Sequence, residues 1–182
     1  MRSALRTVTA LGAAAAFCVL TGCGGGEMRV VETGAKLPAD EDSAAFIDRV
    51  SSQPNVTEDD AARGLLLLLD GKDAAPTFQK RVETLLAREI VDPKWDFSAA
   101  RPITRGKFAY MIYQATKIPG GVILMLTGPS RRYCLRELQY RKMMVEGSMF
   151  SPVTGLEYVS VLTRADEYRR TGKVPPTTGM TE

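Results

Sequence analysis

Three stretches of this chain open in the same way. Val56-Thr57, Ile103-Thr104 and Val153-Thr154 each set a β-branched residue before a threonine, at spacings of 47 and 50 residues. A threonine just ahead of a helix accepts a backbone N–H from the first turn, so Thr57, Thr104 and Thr154 are expected helix N-caps. Glu157 stands where a capping-box acid belongs, while Asp60 is one carbon short for that role. Val56, Ile103 and Val153 occupy the staple position, with Ala61, Phe108 and Tyr158 as their partners inside each helix. The match runs on through Leu65, Ile112 and Leu162, then Leu68, Ala115 and Ala165, which steps of four and three put on one face. A preceding helix repeats as well: "VETLLAREIV" from Val82 overlays "LRELQYRKMM" from Leu135, pairing Leu85 with Leu138 and Arg88 with Arg141. Such a helix-loop-helix unit cannot bury its apolar face alone, and stacking copies solves the problem. The expected fold is therefore mainly α, a pseudo-threefold bundle of helix-loop-helix repeats.

The remaining elements follow from periodicity and breakers. "DSAAFIDRVSS" reads as a short helix with Ala45, Phe46 and Val50 apolar, and "QPN" from Gln53 interrupts it. "TFQKRVETLLAREIV" and "RYCLRELQYRKMMVE" read as helices over 77–91 and 132–146, and 104–117 and 155–172 as two more. "VILMLTG" at 122–128 is apolar throughout and is backed by Gly128-Pro129, which makes it the candidate for a short β element.

The middle repeat carries a resemblance. "LLAREIVDPKWDFSAARPITRGKFAYMIY", Leu85 to Tyr113, is similar to the S-layer homology modules. Arg88, Ile90, Pro102, Ile103, Thr104, Arg105 and Phe108 match that pattern, whereas Glu89, Gly106 and Lys107 depart from it. The last copy keeps Pro152, Val153, Thr154 and Glu157 but has Gly155 in the arginine position, and the first copy has Glu58 there. The resemblance implies three modules about a pseudo-threefold axis, with grooves between them that hold anionic cell-wall polysaccharide. Of the motif arginines, Arg105 alone stands to inherit a glycan contact. Its alternative is a solvated first-turn arginine, mildly disfavoured by the helix dipole. Trp95 offers a ring for sugar stacking, or a plug for a small core, and tryptophans in such loops more often do the second.

The N-terminus fixes an address. Arg2 and Arg6 precede Val8 to Leu20, a run of 13 residues without a charge. This is the build of an export signal, short of the about 20 residues that span a bilayer. Leu20-Thr21-Gly22-Cys23 then resembles the lipobox of bacterial lipoproteins, in which the cysteine thiol receives diacylglycerol, the chain is cut before it, and the new amine is acylated. Gly24-Gly25-Gly26 begins a tether. The expected organisation is a signal peptide over 1–22, lipidation with palmitate-type chains at Cys23, a flexible linker over 23–42, the repeat domain over 43–172 and a frayed tail over 173–182. The resemblance also implies the cell envelope as location, and an outer membrane where the host has one, because Gly24 is not the aspartate of inner-membrane retention.

Composition narrows the chemistry. The chain has 24 basic and 21 acidic residues and no histidine. Loss of Arg2 and Arg6 with the signal leaves a net charge near +1, which gives no reason to expect nucleic acid. Without histidine the commonest general base and metal ligand are gone, and with them the usual serine and cysteine triads and zinc sites. Cys134 remains after Cys18 leaves and Cys23 is acylated, so it is expected to be a buried, inert thiol. Asp70, Asp92 and Asp96 are too scattered for a calcium loop. Arg131, Arg132, Arg136, Arg141 and Lys142, interspersed with Glu137 and Glu146, read as a solvated helix face. No catalytic residue, metal ligand or cofactor site is expected. The favoured function is non-catalytic attachment or scaffolding, linking a membrane through the lipid anchor to peptidoglycan or anionic wall polysaccharide. The alternatives are an envelope module that binds a partner protein through an exposed apolar patch, and a histidine-independent enzyme that needs paired carboxylates or a perturbed lysine.

Overall fold

The computed structural model describes residues 42–174 and the backbone of 30–31. The expected signal, Cys23, almost all of the expected linker and the tail beyond 174 lie outside the described residues. Seven helices make up the described domain, a mainly helical bundle: α1 (Ser43–Ser51), α2 (Glu58–Asp70), α3 (Phe78–Ala87), α4 (Arg105–Thr116), α5 (Val122–Thr127), α6 (Arg131–Tyr140) and α7 (Gly155–Thr171). Two short strands, β1 (Val30–Val31) and β2 (Phe97–Ser98), pair in parallel with Val30 opposite Phe97. The pairing gives the expected linker a fixed point at 30–31.

Five helices start on a side-chain cap. Thr57, Thr77, Thr104, Ser130 and Thr154 each accept the N–H three residues on, which satisfies one of the orphan donors of a first turn. The three staple residues do something further. Val56 N–H donates to Val153 O at 2.9 Å, Val153 N–H to Ile103 O at 3.1 Å, and Ile103 N–H to Val56 O at 2.9 Å. The three backbones thus form a closed ring, and all three side chains are fully buried. Beneath it lie Ala61, Phe108 and Tyr158, also fully buried, then Leu65, Ile112 and Leu162. The Phe108 and Tyr158 rings stand 5.0 Å apart. The Tyr158 hydroxyl donates to Asp60 O at 2.9 Å, so this large polar side chain is satisfied inside the core.

The second helix match extends to its ends. α3 and α6 both stop short of the expected 91 and 146. Glu89 and Lys142 adopt φ of 59°, after which Ile90 N–H reaches back to Leu85 O and Met143 N–H to Leu138 O. The left-handed residue ends each helix and returns Ile90 and Met143 to the core. Neither residue is the glycine that this conformation favours. Glu89→Gly and Lys142→Gly are each expected to raise stability by about 0.5–1 kcal/mol, read as a higher urea midpoint at unchanged slope. A lower midpoint in both would contradict the assigned backbone.

One element departs in kind. Residues 122–127 form helix α5 instead of the expected strand. A short apolar run does not distinguish the two by pattern, and here the backbone satisfies itself locally: Met125 N–H donates to Gly121 O and Gly128 N–H to Leu124 O. The short β element of the described residues is β1–β2. Glu157 also departs from the capping box, because its carboxylate is spent on Arg105 instead of the N–H of Thr154.

Candidate functional site

The starts of α2, α4 and α7 surround the ring, and each meets a loop distant in sequence. Glu58, Arg105 and Gly155 hold equivalent first positions. Their N–H groups donate to Arg101 O at 2.8 Å, Ser151 O at 2.9 Å and Gln53 O at 3.0 Å. The side chains at these three junctions differ, and so does the chemistry.

At the first junction Glu58 is buried. Its carboxylate accepts from Ser98 N–H (2.8 Å), Arg101 Nε (3.0 Å) and Lys107 Nζ (2.8 Å). Lys107 also donates to Asp96 O, and its ammonium lies 4.7 Å from the Phe97 ring and 5.7 Å from that of Trp95. Burial pulls the Lys107 pKa down, against the opposing pull of Glu58. This is the perturbed lysine that an enzyme reading asks for, yet carboxylate, carbonyl and rings enclose it and the residue is only 8 % exposed. The arrangement locks β2 onto α2 and α4. Trp95 packs here, edge-on to Tyr110 at 5.0 Å, with the Arg131 guanidinium 5.9 Å away. It sits in the core, as the plug alternative has it.

The second junction holds Arg105. Its Nη2 meets Glu157 Oε2 at 2.7 Å, and Nη1 donates to Glu146 O at 2.9 Å and Val145 O at 3.2 Å. It is a half-buried clamp between α4, α7 and the 145–147 loop, not the solvated first-turn arginine of the alternative. Arg105 Nε and Glu157 Oε1 are buried without a partner. Burial raises the Glu157 carboxyl and the Arg105 charge draws it part of the way back. Arg105 and Trp95 therefore serve different junctions.

The third junction has no side chain at all. A Cβ on Gly155 would run into the carbonyl oxygens of Val50 and Ser51, the second at 2.7 Å. The end of α1 fills the space that an arginine side chain would need.

Sequence reasoning missed a buried ion network below these starts. Arg81 pairs with Asp59 and Asp73, both at 2.6 Å, and the Arg63 guanidinium lies 4.7 Å from the Phe46 ring. The acidic run Glu58-Asp59-Asp60 reads as a dipole-favoured first turn, and nothing local announces that each carboxylate has a separate cation. Cys134 is buried, and burial pushes its thiol up to about 12, so it is inert at neutral pH. Of the basic cluster, Arg131, Arg132, Arg136 and Lys142 are exposed, and Arg141 pairs with Glu137 at 2.7 Å.

Two of the solvent-open concavities among the described residues border charged or apolar surfaces. One of about 640 Å³ is lined by the C-terminal ends of α2, α4 and α7, with Arg88, Lys117 and Arg169 on its wall. The other, about 380 Å³, lies between α5 and α6 and is mainly apolar. No protein-family model matches the chain, and no curated protein sequence matches it.

Proposed function

We propose that this chain is a non-catalytic, lipid-anchored protein of the bacterial envelope that attaches or scaffolds, built from three degenerate S-layer-homology-like units about an approximate threefold axis. The single observation that carries the reading is the closed ring of hydrogen bonds through Val56, Ile103 and Val153, with a threonine-capped helix starting beside each. Equivalent residues in equivalent hydrogen bonds are what a rotation axis through repeated units requires. The lipobox-like Leu20-Thr21-Gly22-Cys23 supplies the membrane end. The other end is assigned to wall polymer at the Arg105 junction. There a guanidinium beside a helix start offers its donors to a sugar carboxylate or phosphate, and such a ligand displaces Glu157. The other two junctions are filled by Lys107 and by the end of α1, so one groove carries the binding instead of three.

The test is sedimentation of the 27–182 fragment with purified peptidoglycan and with anionic wall polysaccharide. Binding is expected to weaken with salt, and to weaken when Arg105 and Glu157 are replaced together by Met and Gln, which leaves no lone buried charge. Protein left in the supernatant with both polymers would overturn the glycan assignment. A second reading, an envelope module for a protein partner, is favoured by the exposed apolar side chains of Phe150 and Leu156. Membrane attachment is tested separately: Cys23→Ser is expected to release the protein from carbonate-washed membranes, and its retention there would overturn the lipoprotein reading.

A further inference from the structure

α5 is built backwards for a helix on a water-soluble surface. Its six residues carry no charge, and only Leu124 is turned inward, at 7 % exposed. Val122, Ile123, Met125 and Leu126 are 72, 56, 80 and 81 % exposed. At about 100° per residue they cover an arc of roughly 160° opposite Leu124. Four large aliphatic side chains on one short helix form a contiguous apolar face, which soluble surfaces rarely leave uncovered.

The surroundings say what covers it. α6 packs on α5 and borders the groove with Tyr133, Arg136 and Tyr140, the last 83 % exposed. Arg132 and Lys142 are exposed on and just beyond the same helix, and Lys117 is exposed just before α5. Glu137, the acid in the groove, is paired with Arg141, and Glu146 is the further exposed acid after α6. Apolar tip, flanking tyrosines and a basic rim form the order in which a protein meets an anionic bilayer: side chains in the acyl region, phenols at the interface, cations among the phosphates.

The chain's own path agrees. β1 is held against β2, Phe97 of β2 lies 6.1 Å from the Trp95 ring, and Trp95 lies 5.9 Å from the guanidinium of Arg131, the first residue of α6. Residue 30 is therefore fixed beside β2, which is held on α2 and α4 and is linked through Trp95 to the first residue of α6. The seven residue steps from Cys23 to Val30 reach about 25 Å at most. A lipid on Cys23 brings the bilayer within that reach of residue 30.

We propose that α5 is a membrane-surface element, sinking Val122, Ile123, Met125 and Leu126 into the leaflet that holds the Cys23 anchor, with the α6 arginines on anionic phospholipid headgroups. The inference rests on the lipoprotein reading above and adds an orientation to it: the domain lies down on the membrane instead of swinging from a tether.

The experiment uses the full chain, processed in a bacterial host, extracted and reconstituted in vesicles of phosphatidylglycerol and phosphatidylcholine with brominated acyl chains. Leu126→Trp and, on α3, Lys80→Trp place the probe at two exposed positions, each with Trp95 retained. The Leu126→Trp probe is expected to shift its emission to the blue and to be quenched at least about twofold more than Lys80→Trp, with less quenching in pure phosphatidylcholine. Equal quenching at both positions, with lipid on Cys23 shown by mass spectrometry, overturns the α5 proposal and leaves the lipoprotein reading standing. A chain without lipid at Cys23 removes that reading and this proposal with it. Protection of position 126 in native envelopes, without quenching in vesicles, assigns the face to a protein partner and also overturns the proposal.

Discussion

Glu58→Ala is expected to cost about 3–5 kcal/mol, the range for breaking a buried ion pair from one side. The carboxylate is almost fully enclosed and serves three donors, on Ser98, Arg101 and Lys107. Arg101 is partly exposed and turns to water when the carboxylate goes. Lys107 does not have that option. Its ammonium keeps the Asp96 carbonyl and two ring faces, too little to replace a carboxylate. Glu58→Gln combined with Lys107→Met is expected to recover much of the loss, because it removes the stranded charge along with its partner. Urea denaturation of the wild type, Glu58→Gln, Lys107→Met and their combination measures the coupling, with Glu58→Ala alongside. A loss below about 1 kcal/mol for Glu58→Ala would mean that the cluster is hydrated and that β2 is not held by it.

Gly155→Ala is expected to destabilise by about 2–4 kcal/mol, although alanine is the better helix former by nearly 1 kcal/mol. The new methyl group meets main-chain oxygens at the end of α1, not the tip of a side chain that can swing aside. Either α1 or α7 must move, and both pack against the common core. Leu156→Ala, at the exposed neighbouring position, is the control and is expected to stay within about 0.5 kcal/mol. Thermal unfolding separates the cases: a variant at Gly155 with unchanged or raised Tm would show that α1 yields at no cost.

The starts of α2, α4 and α7 were legible because each is encoded locally. A β-branched residue, a threonine and apolar residues four and eight positions after it suffice, and all three starts fall where the pattern puts them. The core followed from the same spacing, since Phe108, Ile112, Tyr158 and Leu65 are all buried. Helix ends were less legible. The turns at Glu89 and Lys142 use a left-handed backbone without glycine, so the sequence bears no mark of where α3 and α6 stop. α5 was misread because an apolar hexamer between glycines satisfies the strand and helix templates equally. The junctions were the least legible part. Glu58, Arg105 and Gly155 are aligned residues with three different neighbours, and those neighbours come from loops 43, 46 and about 100 positions away in sequence. Pairing at that distance depends on the assembled bundle, which no local window contains.

The hydrogen-bonded ring bears on how such a chain reaches its native state. Two of its three bonds join segments that follow one another along the ring, Val56 with Ile103 and Ile103 with Val153, whereas the third joins Val56 to Val153 across most of the domain. Emerging from a ribosome or a translocation pore, the chain has the first two bonded partners well before the third. Until residue 153 arrives, Val56 N–H and Ile103 O stay open and the buried faces of α2 and α4 lack α7. Folding of this domain is therefore gated from its C-terminal end: the barrier carries the entropy of a closure across most of the domain, and a chain halted a few residues short of Val153 is an open arc of helices, a species that invites capture by chaperones or by its own kind.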